Sequence, residues 1–90
     1  MTTHQLTNLS STAATRLTPN GTHSGLDVTI QNVDASANVY LGGTGVTTSD
    51  YGYRLVPGAA WSVELADKDA IYAITDTNGS DVAVIQVGLE

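Results

Sequence analysis

The sequence predicts an all-β domain, a small β-sandwich or β-barrel of about seven or eight short strands with an extended polar N-terminal arm. Three observations predict it. Apolar residues recur at every second position, as in Leu26, Val28 and Ile30 or Trp61, Val63 and Leu65. Turn-forming clusters such as Pro19-Asn20-Gly21, Asp34-Ala35-Ser36, Pro57-Gly58 and Asn78-Gly79 punctuate the chain. No stretch carries helical period beyond one 3₁₀ turn around Ala66-Asp67-Lys68-Asp69.

Residues 1–25 are rich in Thr, Ser and Asn and poor in large apolar groups. They read as an arm with two short strands, near 4–9 and 14–18, marked by Leu6, Leu9 and Leu17. Residues 26–90 read as the sandwich or barrel core. LDVTIQNV alternates apolar Leu26, Val28 and Ile30 with polar Asp27, Thr29 and Gln31, the pattern of a half-buried strand. Val39–Leu41 is a short strand ending at Gly42-Gly43, and Tyr53–Val56 is another, stopped by Pro57-Gly58 as the centre of a type II turn. WSVEL points Trp61, Val63 and Leu65 inward. The last two strands, 70–75 and 81–87, are apolar at both parities. Either they lie centrally in the packed structure or their outer face meets a partner. Asn78-Gly79 predicts a hairpin between them, with a loop wider than two residues because a tight one would set Asp76 against Asp81.

With 90 residues the chain makes one domain, and its 41% apolar fraction is ordinary for a globular chain. No apolar run reaches the roughly 20 residues of a membrane-spanning helix, and MTTHQLTNLSS lacks the basic-then-apolar order of a secretory signal. With no cysteine there is no disulfide, thiolate nucleophile or cysteine metal site. A domain of this size without such staples is marginal alone, so assembly with copies of itself or docking on a larger body is expected. The net charge of −6, with only Arg16, Arg54 and Lys68 as cations, leaves no basic patch for nucleic acid or an anionic membrane.

The chemical motifs are weak. Gly42, Gly43 and Gly45 are followed by Val46, with no lysine before Lys68, so they do not make a phosphate loop. They read as a bend whose glycines allow positive φ. His4 and His23 are the two imidazoles, and no Gly-x-Ser-x-Gly elbow accompanies them, so no enzyme is expected. The oxygen-rich run Asp76–Asp81 lacks the glycine and glutamate positions of an EF-hand, and no metal or cofactor is expected. Trp61 reads as core, while Tyr51 and Tyr53, flanking Gly52, are candidates for a contact surface.

The succession Val28–Asn32 (VTIQN), Val39–Gly43 (VYLGG), Gly45–Thr47 (GVT), Pro57–Gly58, Ile71–Ala73 (IYA) and Val82–Val87 resembles a pattern of small structural proteins of tailed bacteriophages. The resemblance runs from Asp27 to Gly88 and leaves the N-terminal arm outside. It implies a virion component of all-β fold without enzymatic activity. Combined with the short unstapled chain, the doubly apolar last strands and an arm able to add to a neighbour's sheet, it leads to the expectation of a capsid decoration protein. Such a protein is made in the bacterial cytoplasm and binds the major capsid protein on the capsid surface, as a homo-oligomer with a trimer favoured. Another virion role, at the head–tail junction or in the tail, and a carbohydrate-binding adsorption module are the alternatives. The expected protein contacts are Leu6 and Leu9 for docking of the arm, Tyr51, Tyr53 and Arg54 in a loop touching a neighbour, and Val82, Val84, Ile85 and Val87 at the oligomer face or in the core.

Overall fold

Among the described residues eight strands form, some where apolar and polar residues alternate and the last two where both parities are apolar. The computed structural model describes residues 2–18, 23–67 and 69–87. The strands are β1 (Thr3–Asn8), β2 (Thr15–Arg16), β3 (His23–Asn32), β4 (Val39–Gly42), β5 (Tyr53–Leu55), β6 (Ala60–Asp67), β7 (Tyr72–Thr75) and β8 (Asp81–Val87). They make two antiparallel four-stranded sheets, ordered β1-β8-β3-β6 and β2-β7-β4-β5. The protein is therefore an all-β sandwich without helix among the described residues.

The alternation sets which side chains meet. From β3 and β6, Leu26, Val28, Ile30 and Leu65 point inward, and Val82 and Val84 join them from β8. Val39, Leu41, Leu55 and Ala73 face them from the second sheet, and Leu9 and Leu17 complete the core. Such side chains each contribute about 1.5–3 kcal/mol on burial. Trp61, Val63 and Ile71 pack on the periphery of this cluster, so Trp61 adjoins the core without being sealed in it.

The polar N-terminal segment belongs to both sheets. β1 pairs with β8 from Thr3↔Gln86 to Asn8↔Asp81, and β2 pairs with β7 at Thr15↔Ala73 and Arg16↔Tyr72. The expected arm is thus two edge strands of its own molecule. The Cα radius of gyration, 12.2 Å, equals the roughly 12 Å of a compact chain of this length, which leaves no room for a projecting arm. The Pro19-Asn20-Gly21 turn lies outside the described residues, as does Lys68. The Asp69 amide donates to the Ala66 carbonyl at 3.1 Å, closing one short turn there.

The hairpin expected between the last two strands does not form. β7 pairs with β2 and β4, whereas β8 pairs with β1 and β3, so Thr77–Ser80 crosses from one sheet to the other. Gly79 takes φ +90°, and Leu9 ties the crossing down by accepting from the Gly79 amide and donating to the Ser80 carbonyl. The crossing also separates the two aspartates: Asp76 accepts from the Asn38 amide and Asp81 from the Asn8 amide side chain. Among the described residues, the only hairpin between consecutive strands is β4–β5.

Two buried polar devices fix the loops. Asn32, fully buried at the end of β3, donates from Nδ2 to the carbonyls of Ala37 (2.8 Å) and Leu55 (3.0 Å) and accepts from the Asp34 amide (3.0 Å). Asp34 caps the same turn, with Oδ1 accepting from the Ser36 and Ala37 amides at 2.9 Å each. Those two amide bonds, the Ser36 bond first, hold its carboxyl below its ordinary value of 3.8. Pro57-Gly58 is the expected type II turn, with Gly58 at φ +82° and the Ala59 amide bonded to the Val56 carbonyl at 2.9 Å.

Candidate interaction surfaces

Strand parity divides the expected contact residues. Register pairs Leu6 with Ala83 and His4 with Ile85, and then Ala83 with Gln31, Ile85 with Thr29 and Val87 with Asp27. Paired residues share a face. Leu6, Ala83, Ile85 and Val87 therefore lie together on the outer face of the first sheet, with Leu6 69% and Ile85 43% exposed. A shallow groove of about 230 Å³ runs between His4, Leu6, Thr29, Gln31, Ala83 and Ile85. Asp27, Glu64 and Asp81 share this outward parity and give its rim negative charge.

Leu9, expected to dock the arm, and Val82 and Val84, expected at the oligomer face or in the core, are all buried in this chain. All three are at most 1% exposed and belong to the core. Leu9 follows β1 where the chain turns inward over the Ser80 crossing, and Val82 and Val84 occupy the inward parity of β8. Gln86, at that same inward parity, hid this from the sequence. It is buried because its side chain donates to the Leu17 carbonyl at 3.2 Å and accepts from the Thr3 hydroxyl at 3.2 Å.

Tyr51, Tyr53 and Arg54 are exposed around the free edge of β5 in the second sheet. They do not form one loop finger. Tyr53 shares the inward parity of Leu41 and stacks on Trp61 across the two sheets, with centroids 6.0 Å apart and planes inclined by 30°. Tyr51 folds onto Tyr40, with centroids 4.7 Å apart at 55°. Arg54 projects outward opposite Tyr40. The stacked Tyr53–Trp61 pair and Leu41, Gly42, Gly52 and Ile71 line an opening of about 320 Å³ between the sheets. No sequence spacing announced this pair, because the partners sit on different sheets.

The glycine bend has no left-handed residue at Gly42, Gly43 or Gly45; positive φ occurs at Gly25, Gly58 and Gly79 instead. The reason for a glycine at 42 is proximity: a Cβ there would come within 3.1 Å of the Val46 side chain. Beside the bend lies a pocket of about 210 Å³ whose one charged lining side chain is Asp50, a carboxylate that would repel phosphate. Asp76 and Asp81, the ends of the oxygen-rich run, are engaged with Asn38, just before β4, and with Asn8 of β1. Among the described residues no group of three or more His, Cys, Asp or Glu is placed to hold a metal ion. His4 stands exposed on β1, and the His23 side chain lies outside the described residues. Compared with known proteins, the chain matches no protein-family model and no curated protein.

Proposed function

We propose that this protein is a virion structural protein that binds the outside of an assembled phage capsid shell as a small oligomer, with the major capsid protein as its partner. The observation that carries the reading is the outer face of the first sheet. Leu6, Ala83, Ile85 and Val87 form an apolar stripe on a small cysteine-free domain, and contiguous exposed apolar area on such a domain marks a protein contact. The resemblance of residues 27–88 to small phage structural proteins supplies the kind of partner. The action is mass action: a ligand that binds only the assembled shell stabilises that shell.

The test is co-sedimentation of the purified protein with assembled shells that lack it, alongside protein identification in particles grown from the genome encoding it. Saturable binding at a fixed ratio, with a raised shell melting temperature, supports the proposal. Protein left in the supernatant, together with particles that do not contain it, overturns it.

The half-exposed Tyr53–Trp61 stack favours one second reading, a glycan-binding adsorption module, since sugars lie on aromatic faces. Titration with oligosaccharides while following tryptophan fluorescence separates the two readings. An unchanged spectrum removes the second.

A further inference from the structure

We infer that the free edge of β1 pairs with the β1 edge of a second copy, joining two first sheets into one continuous eight-stranded sheet. The inference stands on the edges themselves and is independent of the capsid reading.

Among the described residues the two sheets have four edge strands: β1, β6, β2 and β5. An open edge presents unpaired backbone groups, and folded proteins blunt it with short strands, charge, proline or bulges. Three of these edges are blunted. β2 has two residues, and β5 has three with Pro57 just beyond it. β6 carries Glu64 and faces a bulge between Ser24 and Leu26, where Gly25 takes φ +77°. β1 has none of these devices. It is six residues of THQLTN, with no Lys, Arg, Asp, Glu, Pro or Gly, and the most exposed large apolar side chain of the described residues, Leu6, stands in it.

The occupant follows from charge. The chain bears −6 overall, so association of two copies is opposed wherever acids meet. β1 is the one long edge without a carboxylate, and two copies of it can approach without like-charge contact. The register follows from parity. In a continuous antiparallel sheet the outer faces stay on one side, so each residue pairs with one of its own parity and the two-fold axis passes through a residue. An axis at Leu6 sets Leu6 opposite Leu6, Gln5 opposite Thr7 and His4 opposite Asn8. It buries the two exposed leucines against each other and joins the two grooves beside Ile85 across the axis. The contact is isologous and closes at two copies, so it yields a dimer in place of the trimer expected for a decoration protein.

The test uses the full chain and its lack of cysteine. Sedimentation of the wild-type protein should show a monomer–dimer equilibrium. Leu6→Lys, which sets two lysines face to face on a former open edge, should weaken the dimer at least tenfold while leaving the far-ultraviolet circular dichroism unchanged. Val56→Lys, beyond the β5 edge, should leave the dimer intact. Leu6→Cys should form a disulfide-linked dimer on mild oxidation, because directly opposed strand residues lie within disulfide reach. His4→Cys should not, since its own copies would stand about 13 Å apart along the strands. A monomer at all concentrations, a trimer, a dimer insensitive to Leu6→Lys, or cross-linking at His4→Cys in preference to Leu6→Cys each overturns the inference.

Discussion

The two sheets treat their outward faces in opposite ways. The first leaves Leu6, Ile85 and Val87 open to solvent between acidic residues. The second carries residues just as large, Tyr40, Tyr72 and Ile74, with Arg16 and Arg54 among them. It covers them itself. Tyr51 folds onto Tyr40, the Arg16 guanidinium lies over the Tyr72 ring with its Nε–H on the Thr18 carbonyl, and Ile74, directly opposite Tyr40, is only 5% exposed. An apolar residue at outward parity is therefore no sign of a partner. What counts is whether the same chain supplies a loop or a long side chain to lie over it. The β4–β5 loop does so for the second sheet, and nothing among the described residues does so for the first.

A matched pair of isoleucines tests this contrast most severely. Ile74→Ala should cost about 2–4 kcal/mol, because a buried side chain is lost and a cavity left. Ile85→Ala, at the same outward parity on the other sheet, should stay within about 0.5 kcal/mol. Urea denaturation of both variants measures the difference, and equal losses would erase the distinction. Asn32→Ala, beneath the loops that join the sheets, should cost about 3 kcal/mol, since it strands the Ala37 and Leu55 carbonyls and the Asp34 amide. The same denaturation series reads it.

Removing the cover itself should act more weakly. Tyr51→Ala takes away one aromatic pair, about 1 kcal/mol, and should increase binding of a hydrophobic dye at the newly opened Tyr40. Unchanged dye binding would show that Tyr51 is not the lid of that face. Smallest is the pH effect of Asp34. Its carboxyl is held below 3.8 in the folded protein by the Ser36 and Ala37 amides. Its contribution is therefore complete above that value and is lost as the pH falls below 3.8 through the folded value. An acid titration of thermal stability should show a small acid-side loss that Asp34→Asn abolishes. A loss of the same size in Asp34→Asn would assign it to other carboxylates.

Which apolar residues stay exposed was partly legible, and the failures have physical causes. Leu6 and Leu9 look alike in the sequence, two apolar beats in a polar segment. Pairing of β1 with β8 turns Leu6 outward, and the crossing at Ser80 draws Leu9 into the core. Val82 and Val84 could not be told from Ile85 and Val87 because β8 is apolar at both parities, and its one polar guide, Gln86, points inward to the Leu17 carbonyl. The glycine bend was legible as a bend, but the role of Gly42 beside Val46 depends on a side chain returning over it.

Amino-acid order alone was enough to place the strands, to say which residues of β3 and β6 face inward and to locate the turn at Pro57-Gly58. Each of these follows from the backbone period and the φ preferences of a few adjacent residues. Which strands share a sheet was settled only by long-range packing. Asn78-Gly79 carries the local signature of a hairpin, yet β7 and β8 part there, since each finds two distant neighbours, β2 and β4 for one and β1 and β3 for the other. A turn involves four residues, whereas pairing joins whole strand edges and buries inward faces along their full length, and that greater stabilisation outweighs the local preference.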